Sequence, residues 1–237
     1  MNKFLVILQV GLAAILATAA AAQGAAKPPT ILVVGASGMI GSRVTAEAAS
    51  RGHHVIAAAR SPEKIVTGAN VEAVKLDATD TPAFTALAKR ADVIVLATSP
   101  RDGGDPIAEE KAVADSAMAA AKAARKRILV VGGASSLNKP DGTPVMAGMP
   151  AAMQKGEPMA LRNVLDALKA SDLDWTFFSP AMTIKPGAHT GKYQLGTTTV
   201  LSDAKGVSAI SAEDFADALV GELEKPQHRH SQMTIAY

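Results

Sequence analysis

Apolar and polar positions alternate along the chain in blocks that predict β-strands and α-helices in turn. Seven short, mostly apolar runs predict strands at residues 30–35, 53–60, 71–77, 92–98, 127–133, 174–179 and 232–237. Between most of them, segments with helical spacing of apolar residues predict helices at residues 39–52, 81–90, 105–126, 150–171 and 211–226. Continuous apolar strands suit a parallel sheet that is covered on both faces. The alternation therefore predicts an α/β fold with a doubly wound, mostly parallel sheet.

Two segments interrupt this alternation. Residues 134–150 form a long loop rich in Gly, Pro and Ser, and loops of this length are uncommon unless they are functional. Residues 180–210 are polar and Gly-rich with short strand-like stretches, and we expect them to form a small C-terminal region on the substrate side. In a doubly wound sheet, ligands bind at the carboxyl ends of the strands. The residues that follow each predicted strand are therefore the candidates for a functional site.

Three glycines, Gly35, Gly38 and Gly41, follow the first predicted strand and open the next helix. The first permits a tight turn, the second lets backbone amides approach a diphosphate, and the third allows close packing of helix and sheet. The helix N-terminus then holds the negative charge. A purely structural turn is the alternative. We predict that the loop binds a dinucleotide through Gly35, Ser37, Gly38, Met39, Ile40 and Gly41.

The second predicted strand ends at Arg60, at a position where NAD sites usually carry an Asp or Glu. A guanidinium can pair with the 2′-phosphate of NADP, and Arg43 and Lys64 are further cations that could assist. This pattern favours NADPH over NADH, with NAD kept as a second candidate. Asp77 is predicted to bind the adenine amine, and Thr98 to lie near the nicotinamide ribose. As alternatives, Arg60 is an ordinary surface residue and Asp77 caps a turn.

Six segments spread along the chain together resemble one protein family. They read VVGASGMIGSRV (33–44), AAARSPEK (57–64), KLDATD (75–80), VVGGASSL (130–137), LDWTFFSPA (173–181) and PGAHTGKYQLG (186–196). They are similar to the NAD(P)H-binding, NmrA-like branch of the atypical short-chain dehydrogenases/reductases, and within it to the NADH-flavin reductase-like group. The resemblance covers about residues 29–237. It implies a Rossmann-type fold and a reduced nicotinamide cofactor.

The Tyr-x-x-x-Lys pair that transfers protons in typical short-chain dehydrogenases is missing. The two tyrosines are Tyr193 and Tyr237, and the fourth residue after Tyr193 is Thr197. Hydride transfer to a flavin or quinone needs no such pair, because the acceptor itself stabilises the added electrons. The sequence therefore predicts an NAD(P)H-dependent oxidoreductase that passes hydride from NADPH to a small-molecule acceptor of flavin or quinone type. A non-catalytic NAD(P)H-binding redox sensor or regulatory protein fits equally well.

Candidate residues for the acceptor end follow the fifth predicted strand. Ser135 and Ser136 stand where the resembled family usually has its catalytic serine, and either hydroxyl could donate a hydrogen bond to an acceptor carbonyl. Loop capping is the alternative for both serines. His189 is expected to border the acceptor pocket. Four methionines could line a flat apolar pocket or fill the core: Met146, Met149, Met153 and Met159.

Composition narrows the possible classes of function. The chain of 237 residues has a formal net charge of +2 and no cysteine, which excludes disulfides and Cys-based zinc sites. No basic stripe is interleaved with aromatic residues, so we expect no nucleic-acid partner. His228 and His230 have no evident carboxylate partner in the sequence. We therefore expect no metal site.

The beginning of the chain predicts export. Lys3 precedes an apolar run that ends in small residues, a pattern typical of a secretory signal peptide over residues 1–22. Residues 23–29 then form a linker, and residues 30–237 form one NAD(P)-binding domain. A periplasmic or secreted protein is therefore expected. An uncleaved membrane anchor and a cytoplasmic location are the alternatives, because the run can just span a bilayer and nicotinamide cofactors are cytosolic.

Overall fold

The computed structural model describes residues 28–100 and 103–237. Its strands are β1 (Ile31–Val34), β2 (Val55–Ala59), β3 (Val71–Lys75), β4 (Val93–Leu96), β5 (Arg127–Val131), β6 (Trp175–Ser179), β7 (Thr183–Lys185), β8 (Gln194–Gly196), β9 (Ala209–Ser211) and β10 (Ser231–Ala236). Its helices are α1 (Met39–Ser50), α2 (Thr81–Arg90), α3 (Pro106–Ala124), α4 (Ala151–Gln154), α5 (Glu157–Lys169) and α6 (Ala212–Glu224). The predicted signal peptide and residues 23–27 of the predicted linker lie outside the described residues. Within the described ranges, no helix is both long and apolar enough to cross a membrane.

Eight strands form one sheet in the order β3-β2-β1-β4-β5-β6-β10-β8. Neighbouring strands run parallel from β3 through β10, and β8 runs antiparallel to β10. The strand order reverses between β1 and β4, which makes this pair the topological switch point where open α/β sheets bind ligands. The predicted doubly wound, mostly parallel α/β fold of Rossmann type is confirmed.

Each face of the sheet has its own apolar core, because side chains alternate along every strand. β1 contributes Ile31 and Val33 to the core beneath α1 and α6, where the rings of Phe178 and Phe215 stack with centroids 4.2 Å apart. It contributes Leu32 to the core beneath α2, α3 and α5. Burial on both faces explains why β1 is a continuous apolar run.

The helix predicted over residues 150–171 consists of two helices, α4 and α5, so that prediction was wrong. Gly156 separates them in an extended conformation, with φ −108° and ψ −150°. Pro158 lies in the first turn of α5, where no helical N–H bond is needed. In a continuous helix its ring would crowd the carbonyl of Gln154 and leave it without a donor. The break places the start of α5 at the carboxyl ends of the strands, beside the cleft described below.

The C-terminal region between residues 180 and 210 contains three short strands. β7 and β9 pair in parallel as a separate two-stranded sheet, and β8 extends the edge of the main sheet. Asn138, in the long loop after β5, donates its N–H to Thr198 at 2.8 Å and accepts the N–H of Val200 at 2.9 Å. This region is therefore attached to the loop that follows β5.

Candidate functional site

A cleft of about 760 Å³ lies at the carboxyl ends of the parallel strands. It is lined by residues that follow six strands: Asp77 after β3, Arg60 after β2, Gly35 after β1, Thr98 after β4, Ser135 after β5 and Pro180 after β6. Because the strands lie side by side in this order, Asp77 and Pro180 mark opposite ends of the cleft. The cleft therefore crosses the switch point between β1 and β4.

The loop after β1 passes so close to its neighbours that two of its glycines are required. Gly35 has φ +87°, and a Cβ there would lie 2.4 Å from the carbonyl oxygen of Ala97. A Cβ on Gly41 would lie 2.2 Å from the carbonyl oxygen of Gly35. Gly38 has an ordinary φ of −80° and borders the cleft. Gly35 and Gly41 thus shape the loop, while Gly38 leaves its ligand-facing side open.

The N-terminus of α1 faces the cleft and is suited to negative charge. Gly38 is the N-cap residue and has no side chain to bond the free N–H groups of the first turn. That turn contains no acidic residue, so the positive end of the helix dipole is not neutralised there. Ser37, Met39 and Ile40 line the cleft beside it. This cradle fits a diphosphate, the group that the glycine pattern predicts for it.

Charged groups lie at the end of the cleft nearest β2 and β3. The carboxylate of Asp77 accepts hydrogen bonds from the N–H of Thr79 at 3.0 Å and from its hydroxyl at 2.8 Å. These bonds, and the charge of Arg60, lower the pKa of Asp77. Lys64 lines the same end of the cleft. Asp77 therefore stabilises a turn, and its carboxylate lies near the cation predicted to bind a 2′-phosphate.

The structure also brings Glu110 of α3 to the cleft, a residue that the sequence analysis did not single out. The residue is 1% exposed, and its carboxyl accepts a hydrogen bond of 3.4 Å from the hydroxyl of Thr98. Burial raises the pKa of Glu110 to about 7; the Thr98 bond opposes this shift, and the negative charges of Glu157 and Glu109 add to it. The carboxyl can therefore gain or lose a proton near neutral pH.

A periodic signal for Glu110 is present in the sequence. Glu110, Ala114, Ala117 and Ala121 follow one another at spacings of four, three and four, which places all of them on the buried face of α3. Acidic residues near a helix N-terminus are also favoured by the helix dipole. The position of Glu110 near the start of the helix therefore did not mark it as unusual, whereas the apolar face on which it lies does.

The two candidate catalytic serines have different surroundings. Ser135 lines the cleft, and its hydroxyl donates a hydrogen bond of 3.2 Å to the carbonyl of Pro158. The hydroxyl of Ser136 lies in the interior, where it hydrogen-bonds Ser179 at 2.8 Å and Gln232 at 2.9 Å. Ser135 is therefore the serine that a ligand in the cleft can reach, whereas Ser136 contacts residues of β6 and β10.

The end of the cleft near β6 is apolar. Leu161 of α5 lines it together with Ala181, Met182 and Ile184, which follow β6. Met149 joins them from the loop after β5, and it is the member of the predicted methionine group that borders the cleft. Met182 is 48% exposed. These aliphatic and thioether side chains form a surface on which a flat ring system can pack.

Two other residues considered from the sequence are held by acidic groups elsewhere. The guanidinium of Arg43 bonds Glu213 at 2.6 Å. His189, expected at the acceptor pocket, has a ring nitrogen 3.5 Å from a carboxylate oxygen of Asp217. Glu47 lies beside His189 and Asp217, and Arg51 forms ion pairs with both carboxylates. The guanidinium of Arg51 thus supplies the positive charge that a metal ion would bring there.

The fold and the cleft together define the class of site. A diphosphate cradle lies at the switch point, cations lie on the β2 side, and an apolar surface lies on the β6 side. This is the arrangement of a dinucleotide-binding site of Rossmann type. A family model described as NAD(P)H-binding matches residues 35–226. The chain therefore belongs to the NAD(P)H-binding family, and the resemblance stated from the sequence is confirmed.

Similar proteins share nearly the whole described chain. The uncharacterized protein YwnB of Bacillus subtilis (strain 168) is 34% identical over 218 residues, covering 86% of this chain and 96% of YwnB. A structure from Burkholderia pseudomallei, provisionally described as an exported protein, is 38% identical with a TM-score of 0.78, covering 88% of this chain and 100% of that chain. A structure from Streptococcus pneumoniae TIGR4, provisionally described as an NADH-flavin reductase, is 29% identical with a TM-score of 0.75, covering 88% and 99%.

Proposed function

We propose that this protein is an NAD(P)H-dependent oxidoreductase that transfers hydride from NADPH to a flat acceptor of flavin or quinone type. The observation that carries the proposal is the continuity of one cleft from the diphosphate cradle to the apolar surface near β6. With its diphosphate at Gly38 and its adenosine toward Arg60, a dinucleotide directs its nicotinamide toward Thr98 and Ser135. The apolar surface around Met149 follows directly. Donor and acceptor therefore meet in one chamber.

The chain's own groups bind the nucleotide and orient the acceptor, and a bound reduced nicotinamide supplies the hydride. Backbone N–H groups at the start of α1 hold the diphosphate. The hydroxyl of Ser135 would donate a hydrogen bond to a carbonyl of the acceptor in place of its present bond to the carbonyl of Pro158. Met149, Leu161 and Met182 provide an apolar surface for the acceptor. Alignment of donor and acceptor is then the main contribution of the protein.

Both tyrosines are bound to acidic residues of α6, which supports an acceptor that needs no tyrosine as a proton donor. The hydroxyl of Tyr193 donates to Asp217 at 2.6 Å, and that of Tyr237 donates to Asp214 at 2.9 Å. Burial and the bond to Asp217 raise the pKa of Tyr193, so this phenol holds its proton firmly. A flavin or quinone fits these conditions better than an alcohol–carbonyl substrate.

The preference for NADPH over NADH rests on charge. Arg60 is exposed at the end of β2, and Lys64 lines the same end of the cleft. Two cations complement the charge of a 2′-phosphate, and a guanidinium can also stack on adenine. Asp77 is close enough to Arg60 to be influenced by its charge. We infer that Arg60 binds the phosphate and that Asp77 accepts a hydrogen bond from the adenine amine.

Binding and turnover together test the proposal. The purified full chain is expected to oxidise NADPH when FMN or a soluble quinone is added, as measured by the loss of NADPH absorbance. Gly38→Val puts a branched side chain at the cradle without demanding an unusual backbone angle, and it is expected to abolish NADPH binding. Gly68→Ala is the control, because no atom lies within 4 Å of a Cβ at that position. Failure of the wild-type chain to bind NADPH would overturn the proposal.

A second outcome would replace the enzyme by a binding protein. Tight NADPH binding without oxidation by any flavin or quinone contradicts the enzymatic part and favours a nicotinamide-responsive regulatory protein. In that case NADPH is expected to protect the loop over residues 134–150 from proteolysis, and a partner protein should be recovered with the chain. The two functions are thus separated by one pair of measurements.

We further propose that the mature chain is exported. The apolar run within residues 1–22 and the provisional description of the Burkholderia pseudomallei protein as exported support this location. Cell fractionation with N-terminal sequencing is expected to recover, from the periplasm or the medium, a chain that begins after Ala22. Recovery of the uncleaved chain from the membrane or the cytoplasm contradicts this proposal.

A further inference from the structure

Glu110 is buried at the wall of the cleft with little compensation for a negative charge. The residue is 1% exposed, and within the described residues its carboxyl has one hydrogen bond, of 3.4 Å, from the hydroxyl of Thr98. A carboxylate removed from water needs a cation or several hydrogen bonds to be stable. A single long bond does not meet this need, so the ionised form is destabilised in the chain by itself.

Within the described residues, both charged groups that interact with Glu110 are acidic. These groups are Glu109 of α3 and Glu157 at the start of α5. Arg60 and Lys64 follow β2 and line the opposite end of the cleft. Among the described residues, no ion pair includes Glu110. A positive group that enters the cleft beside Thr98 would therefore stabilise the ionised form of Glu110, which no ion pair within residues 28–100 and 103–237 does.

The nicotinamide ring is the part of a dinucleotide that changes charge with oxidation. It is neutral when reduced and positive when oxidised. Thr98 follows β4, on the far side of the switch point from Arg60 and Asp77, which is where the nicotinamide end of the proposed nucleotide belongs. A buried carboxylate attracts a nearby cation strongly, whereas a neutral ring laid over it only adds to its desolvation.

We propose that Glu110 discriminates between the two redox states of the nucleotide, with its ionised form stabilising the positive oxidised ring and its protonated form accommodating the neutral reduced ring. This role rests on the proposed function, because it requires a nicotinamide beside Thr98. Binding of the oxidised form then releases a proton from Glu110 to solvent, and binding of the reduced form takes one up. The oxidised nucleotide is therefore held more tightly as the pH rises.

The ionisation of Glu110 in the chain is suited to such a role. Its pKa of about 7 means that the protonated and ionised forms are both populated near neutral pH. Either ligand can then shift the balance between them. A carboxyl with the ordinary value of 4.5 would already be ionised at neutral pH and would release no proton there.

Calorimetric titration of the full chain with NADP⁺ and with NADPH tests this role without any turnover. Titrations in two buffers with different heats of ionisation are expected to show proton release with NADP⁺ and proton uptake with NADPH near pH 7. The ratio of NADP⁺ to NADPH affinity is expected to rise about tenfold or more between about pH 6 and about pH 8. The phosphate groups are common to both nucleotides, so their own protonation cancels in this ratio.

Two matched variants separate Glu110 from the rest of the cleft. Glu110→Gln keeps the size of the side chain and removes its ionisable group. The ratio of NADP⁺ to NADPH affinity is therefore expected to become independent of pH. Asp115→Asn alters an exposed carboxylate of the same helix that does not line the cleft, and it should keep the wild-type dependence. A pH-independent ratio in the wild-type chain that binds both nucleotides overturns the role of Glu110 and leaves the nucleotide site intact. Failure to bind either nucleotide overturns both.

Discussion

Single side chains give the two ends of the cleft different chemistry. Arg60 and Asp77 place charged groups where an adenosine phosphate is expected, and Met149 and Met182 place apolar atoms at the other end. Between them lies Glu110, whose ionisation is set mainly by burial. Substitutions at these positions should therefore change different quantities: nucleotide preference, acceptor binding and dependence on pH.

Arg60→Ala tests the preference for NADPH. A charge-assisted hydrogen bond contributes roughly 1.5–3 kcal/mol, so NADPH binding should weaken about tenfold or more, while NADH binding should stay nearly unchanged. Fluorescence titration with both nucleotides measures the effect. Lys169→Ala, which removes an exposed cation from the last turn of α5, is the control. Equal losses for NADPH and NADH would show that Arg60 does not contact a 2′-phosphate.

Glu110→Gln tests the burial of this carboxyl in the chain without ligand. A group whose pKa is raised on folding contributes full stability below its unfolded pKa and loses it as the pH rises through its folded pKa. Between about pH 4.5 and about pH 7 this loss should reach about 3 kcal/mol in the wild-type chain. Urea unfolding should therefore find the Gln variant more stable at pH 8 and nearly unchanged at pH 4. Parallel pH profiles would contradict the burial.

The N-terminal ends of three helices position groups that line the cleft. α1 begins after Gly38, which leaves its first N–H groups available. α3 begins at a cap formed by Asp105, whose carboxylate accepts the N–H of Ile107 at 2.9 Å, and this start positions Glu110 one turn later. α5 begins after the break at Gly156 and brings its first turn to the same cleft. The ends of these elements matter more for the site than their lengths.

Asp105→Ala tests the start of α3. Loss of an N-cap typically costs about 1 kcal/mol of unfolding free energy, and Asp105→Asn should restore most of it because an amide oxygen can also accept the bond. Asp115→Ala is the control on the same helix, where the exposed pair with Lys111 is worth less than about 0.5 kcal/mol. Urea unfolding measures all three variants. A cost no larger than that of Asp115→Ala would argue against the cap.

Local patterns explain which elements could be predicted. The apolar runs mark the buried strands because a parallel sheet covered on both faces accepts apolar residues at every position. The break between α4 and α5 was missed, because helical spacing of apolar residues continues across Gly156 while Pro158 forces a new start. Single residues decide such breaks, and a pattern averaged over several turns conceals them.

The sequence predicts the part of the candidate site that is built from residues next to strand ends. It does not predict the contacts between elements that are distant in the chain. The loop over residues 35–41 and Arg60 follow directly from strand ends, and all the cofactor-binding candidates other than Gly41 line the cleft. Arg43 was expected to assist, yet its partner Glu213 lies 170 positions away. The burial of Glu110 likewise depends on contacts with other elements, such as Thr98. Neither contact has a local signature.

On the scale of the whole molecule, a buried carboxylate of α6 joins this helix to the central sheet. Burial opposes the ionised form of Glu222, but its bonds from His228, Gln227 and Arg127 outweigh burial and lower its pKa. The bond from Arg127 of β5 is 2.6 Å long, and both side chains are buried. The folded state therefore depends on a negative charge inside the molecule, close to β5 and β6.

Acid is expected to destabilise the fold through such groups. A carboxyl whose pKa is lowered on folding contributes stability above its unfolded pKa, and that contribution is lost as the pH falls through the folded pKa. The melting temperature should therefore decrease once the pH is brought below about 4.5, which is the ordinary pKa of a glutamate such as Glu222. Asp214 has a lowered pKa too, so the loss should have several contributors.

Glu222→Gln isolates the contribution of this carboxyl. The substitution removes the nearer counter-charge of the buried Arg127, whose other acidic neighbour, Asp174, is 3.8 Å away. Breaking a buried ion pair typically costs about 3–5 kcal/mol, and the substitution should also flatten the acid dependence. Glu63→Gln, at an exposed position in the turn after β2, is the control and should keep the wild-type profile. A Glu222→Gln chain as stable as the wild type at pH 7 would contradict the importance of this ion pair.

The place of β10 in the sheet has a consequence for biosynthesis. This strand is inserted between β6 and β8, although both are made before it. A nascent polypeptide that stops short of Ser231 has an open edge at β6 and no partner for β8, so this side of the sheet cannot close. The native sheet is therefore complete only once β10 has been synthesised. The export proposed above would therefore act on a chain whose sheet is still open.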